Sequence, residues 1–139
     1  MTAADRWAVR TEAAPPSAGP YSQAIVAGGL VFLAGQTPRT PDGERLLDHS
    51  LPEQVRRTMD NLRAVAEAAG SSLHDAVKVS VFVRPGVDMS VVNAIYAEYF
   101  TDPLPARTTT VSDLAVGAIE VDAILAPAGP SAQGAGVRR

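Results

Sequence analysis

Arg107, Glu120 and Asp122 are the residues of this chain whose types and setting could do chemistry. Arg107 stands in the run Pro105-Ala106-Arg107-Thr108-Thr109-Thr110-Val111. The two carboxylates stand in Ala118-Ile119-Glu120-Val121-Asp122-Ala123-Ile124. Both runs read as strands, because β-branched and apolar residues recur between the breakers Pro105, Gly117 and Pro127. Strand side chains alternate, so Arg107, Thr109 and Val111 share one face, and Glu120 and Asp122 share one face of the later strand. A charge on a half-buried sheet is costly unless it is paired or binds something charged. Two readings stand side by side: a salt bridge or solvated sheet face, or an anion site with a proton-handling carboxylate beside it.

The elements that must position these residues belong to one domain. A chain of 139 residues is long enough to bury a proper core, and 46% hydrophobic with 19% charged residues is the composition of a folded soluble protein. A net charge of -3 argues against a groove that neutralises nucleic-acid phosphates. Zero cysteines exclude disulfides, thiolate catalysis and Cys-ligated zinc, and His49 and His74 lack companions at ligand spacing, so a metal site is not expected. No apolar run is long enough to span a membrane, and the N-terminus has no basic segment followed by a hydrophobic one. The expected location is the cytoplasm.

Residues 7–11 suggest a short edge strand after a loose end. Pro15, Pro16, Gly19 and Pro20 make a loop that delivers the chain to a strand over 21–27. Gly28-Gly29 then joins it to a second strand, 30–35, since two glycines between strands suit the positive φ of a type I′ hairpin turn. Ser50-Leu51-Pro52-Glu53 fits a capping box, and Val55, Met59, Leu62, Ala66 and Ala69 form one apolar stripe before Gly70. A helix is expected there, with Arg56, Arg57, Asp60, Arg63 and Glu67 as its solvated side. Residues 76–84 read as a buried strand, and Asp88 caps a second helix over 89–100 that contains Asn93. Asn93 is either a surface polar residue or one that reaches a site. Beyond Pro127 the composition is Ala, Gly, Pro and Ser, so the domain is expected over 1–127 and a disordered tail over 128–139.

The result is a single-domain α+β fold, a mixed sheet of about six strands with two helices on one face. Two helices cannot cover both faces. The open face is therefore expected to meet another copy of the chain.

Several stretches together resemble the Rid (reactive intermediate deaminase, YjgF) family, from about Arg6 to Ala126. They are Gly19-Pro20-Tyr21-Ser22-Gln23-Ala24, Ala34-Gly35-Gln36, Val92-Asn93-Ala94-Ile95-Tyr96, Pro105-Ala106-Arg107 and Ile119-Glu120-Val121-Asp122-Ala123. The resemblance implies a chorismate-mutase-like subunit in a homotrimer with sites between neighbours. It also implies cofactor-independent hydrolysis of small enamines and imines, such as 2-aminoacrylate or 2-iminobutanoate, to 2-oxo acids and ammonia. On that reading Arg107 holds the substrate carboxylate as a bidentate fork, and Glu120 positions water and passes a proton to the departing amine. Backbone groups near Gly35 and Thr109 hold water and amine, Tyr21 closes one wall, Asn93 is carried over with them, and Asp122 is structural.

Two positions depart from the deaminase branch: Ala34 stands where Ser is usual before Gly-Gln, and Thr109 where Cys is common. They put the substrate's identity in question. They also motivate a second reading, a non-catalytic trimeric binding module for small carboxylates. A pathway-specific deaminase for a larger imine fits equally, while an endoribonuclease sits poorly with the acidic balance. Residues 38–49 and 85–90 are candidates for the cleft's rim.

Overall fold

The computed structural model describes residues 5–128. The tail expected beyond Pro127 lies outside the described residues from position 129 onward, as do residues 1–4. The elements run β1 (Arg6–Val9), β2 (Ala24–Ala27), β3 (Leu30–Gln36), α1 (Leu51–Ala68), β4 (Ala76–Val83), α2 (Met89–Tyr96), β5 (Ala106–Val111) and β6 (Ile119–Leu125). This is the expected order of six strands and two helices. The six strands form one sheet in the order β1-β2-β3-β6-β4-β5, antiparallel except for the parallel pair β4 and β5.

Local chemistry explains most boundaries. Gly28 and Gly29 have φ of 60° and 77° and close the β2–β3 hairpin as expected. The Ser50 side chain accepts from the Glu53 amide while the Glu53 carboxylate accepts from the Ser50 amide, so the capping box is formed and α1 starts there. Asp88 accepts from the Ser90 amide at 2.9 Å and starts α2. That helix is shorter than expected: it closes at Tyr96 and tightens into a 3₁₀ turn, Ala97–Tyr99.

The helices share one face of the sheet. α1 packs over β3 and β6 with α2 beside it, and Val55, Met59, Leu62 and Val65 meet Val31, Val79, Val81 and Val121 in a fully buried layer. The opposite face is open in the single chain. Ile25, Phe32 and Ile124 lie in register across β2, β3 and β6 on that side, with Phe32 40% exposed. Among the described residues no helix is long and apolar enough to cross a membrane.

Residues 21–23 are not strand as expected; β2 begins at Ala24. The reason is Gln23, whose side chain is buried and works as a clamp. Its Oε1 accepts from the Thr11 amide at 2.7 Å, and its Nε2 donates to the Thr11 and Pro15 carbonyls at 3.0 and 2.9 Å. One amide thus satisfies the backbone of a proline-rich loop that has no sheet partner. Gln23→Leu should destabilise the protein by about 1–3 kcal/mol, because buried backbone groups are left unpaired. Urea unfolding measures this, and an unchanged midpoint would refute the clamp.

Candidate active site

β6 is threaded between β3 and β4, and its alternation decides where the carboxylates go. Ile119, Val121, Ala123 and Leu125 are buried against the helices, so Glu120 and Asp122 point to the open face, level with Phe82 and Ser80 of β4. β5 pairs in parallel with β4, with Arg107 level with Val79 and Thr109 with Val81. Their side is therefore the helix side. Arg107 and Glu120 lie on opposite faces of the same sheet, so within one chain the carboxylate does not stand beside the arginine.

Arg107 is exposed on the edge strand and is held from the helix layer. Its Nη1 donates to Asn93 Oδ1 at 2.9 Å, and its guanidinium carbon sits 4.8 Å from the centre of the Tyr96 ring. Asn93 is thus neither idle nor at the carboxylate. It orients the guanidinium from one turn of α2. Arg107 makes no ion pair with Glu120 or Asp122. Burial pushes the Tyr96 phenol up, with the Arg107 charge acting the other way.

Glu120 is half-buried against Gly35. A Cβ at Gly35 would come within 3.1 Å of the Glu120 Cγ and Cδ and would run into the carboxylate itself, so the absence of a side chain there is what lets the carboxyl lie on the β3 backbone. Burial, and secondly the Asp122 charge, raise the Glu120 pKa above its ordinary 4.5. Asp122 is also raised by burial, opposed by a hydrogen bond from Ser80 and the nearby Lys78. The carboxyl of Glu120 therefore exchanges its proton closer to neutrality than a free glutamate does.

Glu120 opens into a cleft of about 430 Å³ that also contains Tyr21, Gly35, Ala34, Arg39 and Arg45. Tyr21 is 52% exposed, and its hydroxyl accepts from the Ala18 amide at 3.1 Å, so it is a wall and not a core residue. A larger cavity of about 770 Å³ lies against residues 8–14 and shares Tyr21, but it holds neither Glu120 nor Gly35. Of the expected site residues the structure brings together Tyr21, Gly35 and Glu120, and it places Arg107, Asn93 and Thr109 together at the β5 edge. Of the expected rim 38–49, Arg39 and Arg45 line the cleft with charge. Residues 85–90 do not line it. Among the described residues no group of three or more His, Asp or Glu is placed to hold a metal ion.

A six-stranded mixed sheet with both helices on one side is the fold of the Rid proteins, and solved structures share it. The structure of RidA from the Antarctic bacterium Psychrobacter sp. PAMC 21119 superposes with a TM-score of 0.80 at 31% identity, covering 86% of this chain and 98% of that one. The chain belongs to the endoribonuclease L-PSP family, also called YjgF/RidA/Rid, whose family model matches residues 11–126. It is 43% identical over 116 residues to a RutC family protein of Pyrococcus horikoshii, covering 82% of this chain and 92% of that protein. It is 34% identical over 119 residues to a 2-iminobutanoate/2-iminopropanoate deaminase of Dermatophagoides farinae, covering 84% and 93%. The family includes reactive intermediate deaminases, and the broad class of this chain is theirs.

Proposed function

We propose that the protein hydrolyses small 2-imino acids, of the 2-iminobutanoate and 2-aminoacrylate type, to 2-oxo acids and ammonia. The observation that carries this reading is the half-buried Glu120 carboxyl, raised in proton affinity and laid against a side-chain-free Gly35 in a concave site. The relative named as a 2-iminobutanoate/2-iminopropanoate deaminase supports it. The net charge of -3 works against a polyanionic substrate such as RNA.

The reaction adds water to the C=N carbon of a protonated imine. Glu120 takes one proton from the water as the new C–O bond forms, then returns it to nitrogen. The C–N bond breaks as the new hydroxyl gives up its proton, by way of Glu120, to the departing ammonia, so that ammonium and the 2-oxo acid leave. An enamine enters the same course once its β-carbon is protonated to give the imine. The α-carboxylate needs a fixed cation, and Arg107 is the candidate, but it lies on the other face of its own sheet. The site therefore takes Glu120, Gly35 and Tyr21 from one copy and Arg107, with Asn93 behind it, from a neighbour. The exposed β5 edge and the apolar open face around Phe32 are the surfaces available for such an assembly, for which we propose a homotrimer.

The test couples threonine dehydratase, which releases 2-iminobutanoate, to the appearance of 2-oxobutanoate. Acceleration by the protein supports the proposal. Saturable binding of 2-oxobutanoate without acceleration would replace it with a carboxylate-binding module.

A pH profile reads the proton-handling group. Glu120 must be ionised to accept the proton of water, so kcat/KM should fall on the acid side through a pKa above 4.5. The Asp122 charge raises that pKa, and removing it must lower it. Asp122→Asn should therefore move the acid limb to lower pH, and a limb that stays in place would show that another group titrates.

A further inference from the structure

Arg39 and Arg45 are bridged backbone to backbone as an antiparallel pair. Directly opposed residues of such a pair project to the same side, and like charges so placed repel. Neither arginine has an ion-pair partner within 4 Å among the described residues, whereas Arg56 and Arg63 both do. Neither Asp42 nor Glu120 serves as that partner. Asp42 bonds the Thr40 hydroxyl and lines the larger cavity, and Glu120 is raised by burial and Asp122 with neither arginine offsetting it.

The bridge is also rigidly built. Its turn is closed by the Thr40 amide to the Glu44 carbonyl and the Gly43 amide to the Thr40 carbonyl, both 2.8 Å. Asn61, fully buried in α1, donates to the Arg39 carbonyl at 2.7 Å and ties the turn to the helix. The Arg39 side chain is aimed by neutral acceptors alone, with Nη1 on the Pro16 carbonyl at 2.7 Å and Nε on the Gly43 carbonyl at 3.3 Å. The Arg45 guanidinium bonds nothing among the described residues. Two cations on directly opposed backbone positions, neither ion-paired among the described residues, line the wall of one cleft, and such a pair suits an anion.

Resting on the imine reading of this cleft, we propose that among 2-imino acids the preferred substrates are dicarboxylic, with the side-chain carboxylate held by Arg39 and Arg45. A cleft of about 430 Å³ leaves room beyond a four-carbon imino acid, since ligand sites of about 300–1,000 Å³ hold far larger molecules. The two arginines share that space with Glu120 and Gly35, so one end of the ligand would lie at the reacting carbon and the other at the bridge.

The experiment generates imines with flavin amino-acid oxidases, from glutamate and aspartate on one side and from 2-aminobutyrate on the other, and scores hydrolysis by competition with semicarbazide. Wild type should favour the dicarboxylic imines. Arg45→Gln should lower the ratio of dicarboxylic to monocarboxylic kcat/KM by about tenfold or more, the loss of one charge-assisted contact. Arg45→Lys should keep most of that ratio. Because Arg39 also holds the Pro16 carbonyl, Arg39→Gln is read beside its unfolding midpoint. A ratio that favours the monocarboxylic imine in wild type, or one that Arg45→Gln leaves unchanged, overturns the proposal while the imine reading stands. Hydrolysis of none of these imines defeats the imine reading instead. In that case calorimetry with 2-oxoglutarate and with inorganic phosphate decides the anion site. Binding of 2-oxoglutarate lost in Arg45→Gln upholds the dicarboxylate, and equal binding of phosphate, or no binding, overturns it.

Discussion

Glu120→Gln is expected to lower kcat/KM for 2-iminobutanoate by about 10²–10⁴-fold, the usual worth of a positioned acid–base group. Glutamine keeps the shape that lies against Gly35 and keeps a hydrogen-bonding end in the cleft, but it cannot take a proton from water or return one to nitrogen. The fold should not suffer. The wild-type carboxyl carries a burial cost in its charged form, which is the first cause of its raised pKa, and the neutral amide does not. The coupled dehydratase assay measures the rate, and a thermal unfolding curve beside it shows that the variant is folded. A rate within a few-fold of wild type would remove Glu120 from the chemistry, since burial or packing alone would then account for its setting.

Arg107→Ala is expected to cost about 10–100-fold or more in kcat/KM, because hydrogen bonds to charged partners are worth about 1.5–3 kcal/mol and each 1.4 kcal/mol is tenfold. The loss should appear mainly in KM, as the arginine binds the carboxylate in ground and transition state alike. Stability should move little, because the side chain and its bond to Asn93 are exposed; what is lost is its cover over the ring of the buried Tyr96, a cation–π contact of about 0.5–1 kcal/mol. Arg107→Lys should recover only part of the loss, since lysine presents a point charge and no fork. Steady-state kinetics with 2-iminobutanoate separates these outcomes, and an unchanged KM in Arg107→Ala would show that the carboxylate is held elsewhere.

How much of this was legible in the sequence follows from whether the determinant is local. The capping box at Ser50 and Glu53, the Gly28-Gly29 turn and the valine-rich β4 announce themselves within a few residues, and all three stand in the structure. Alternation likewise told which side chains share a face of one strand. It could not tell which face of β5 matches which face of β6, because that depends on β4 pairing in parallel with one and antiparallel with the other, about 30–40 residues away in sequence. The separation of Arg107 from Glu120 is the consequence.

Buried polar residues were illegible for a related reason. Gln23, Gln54 and Asn61 are buried because they serve loop backbone: Gln54 accepts from the Ala118 amide at 2.9 Å, and Asn61 holds the turn that carries Arg39. Nothing in the neighbouring residues says that a distant carbonyl will need a donor. Arg39 and Arg45 were visible only as two cations in a proline-containing loop, and it is their bridge that makes them a pair. The Gly35 requirement belongs with these, since it arises from the Glu120 side chain crossing over from β6.

The central claim is that one active site spans two copies of the chain, with Glu120 from one and Arg107 from the other. Co-expression of Arg107→Ala with Glu120→Gln tests it most directly, using differently tagged chains so that mixed assemblies can be isolated. Each variant alone should be nearly inactive. Mixed assemblies should regain turnover, because in a mixed trimer about one site in three pairs an intact Glu120 with an intact Arg107 across the subunit boundary. Mixed assemblies as inactive as the parents would contradict a shared site and return both residues to a single chain.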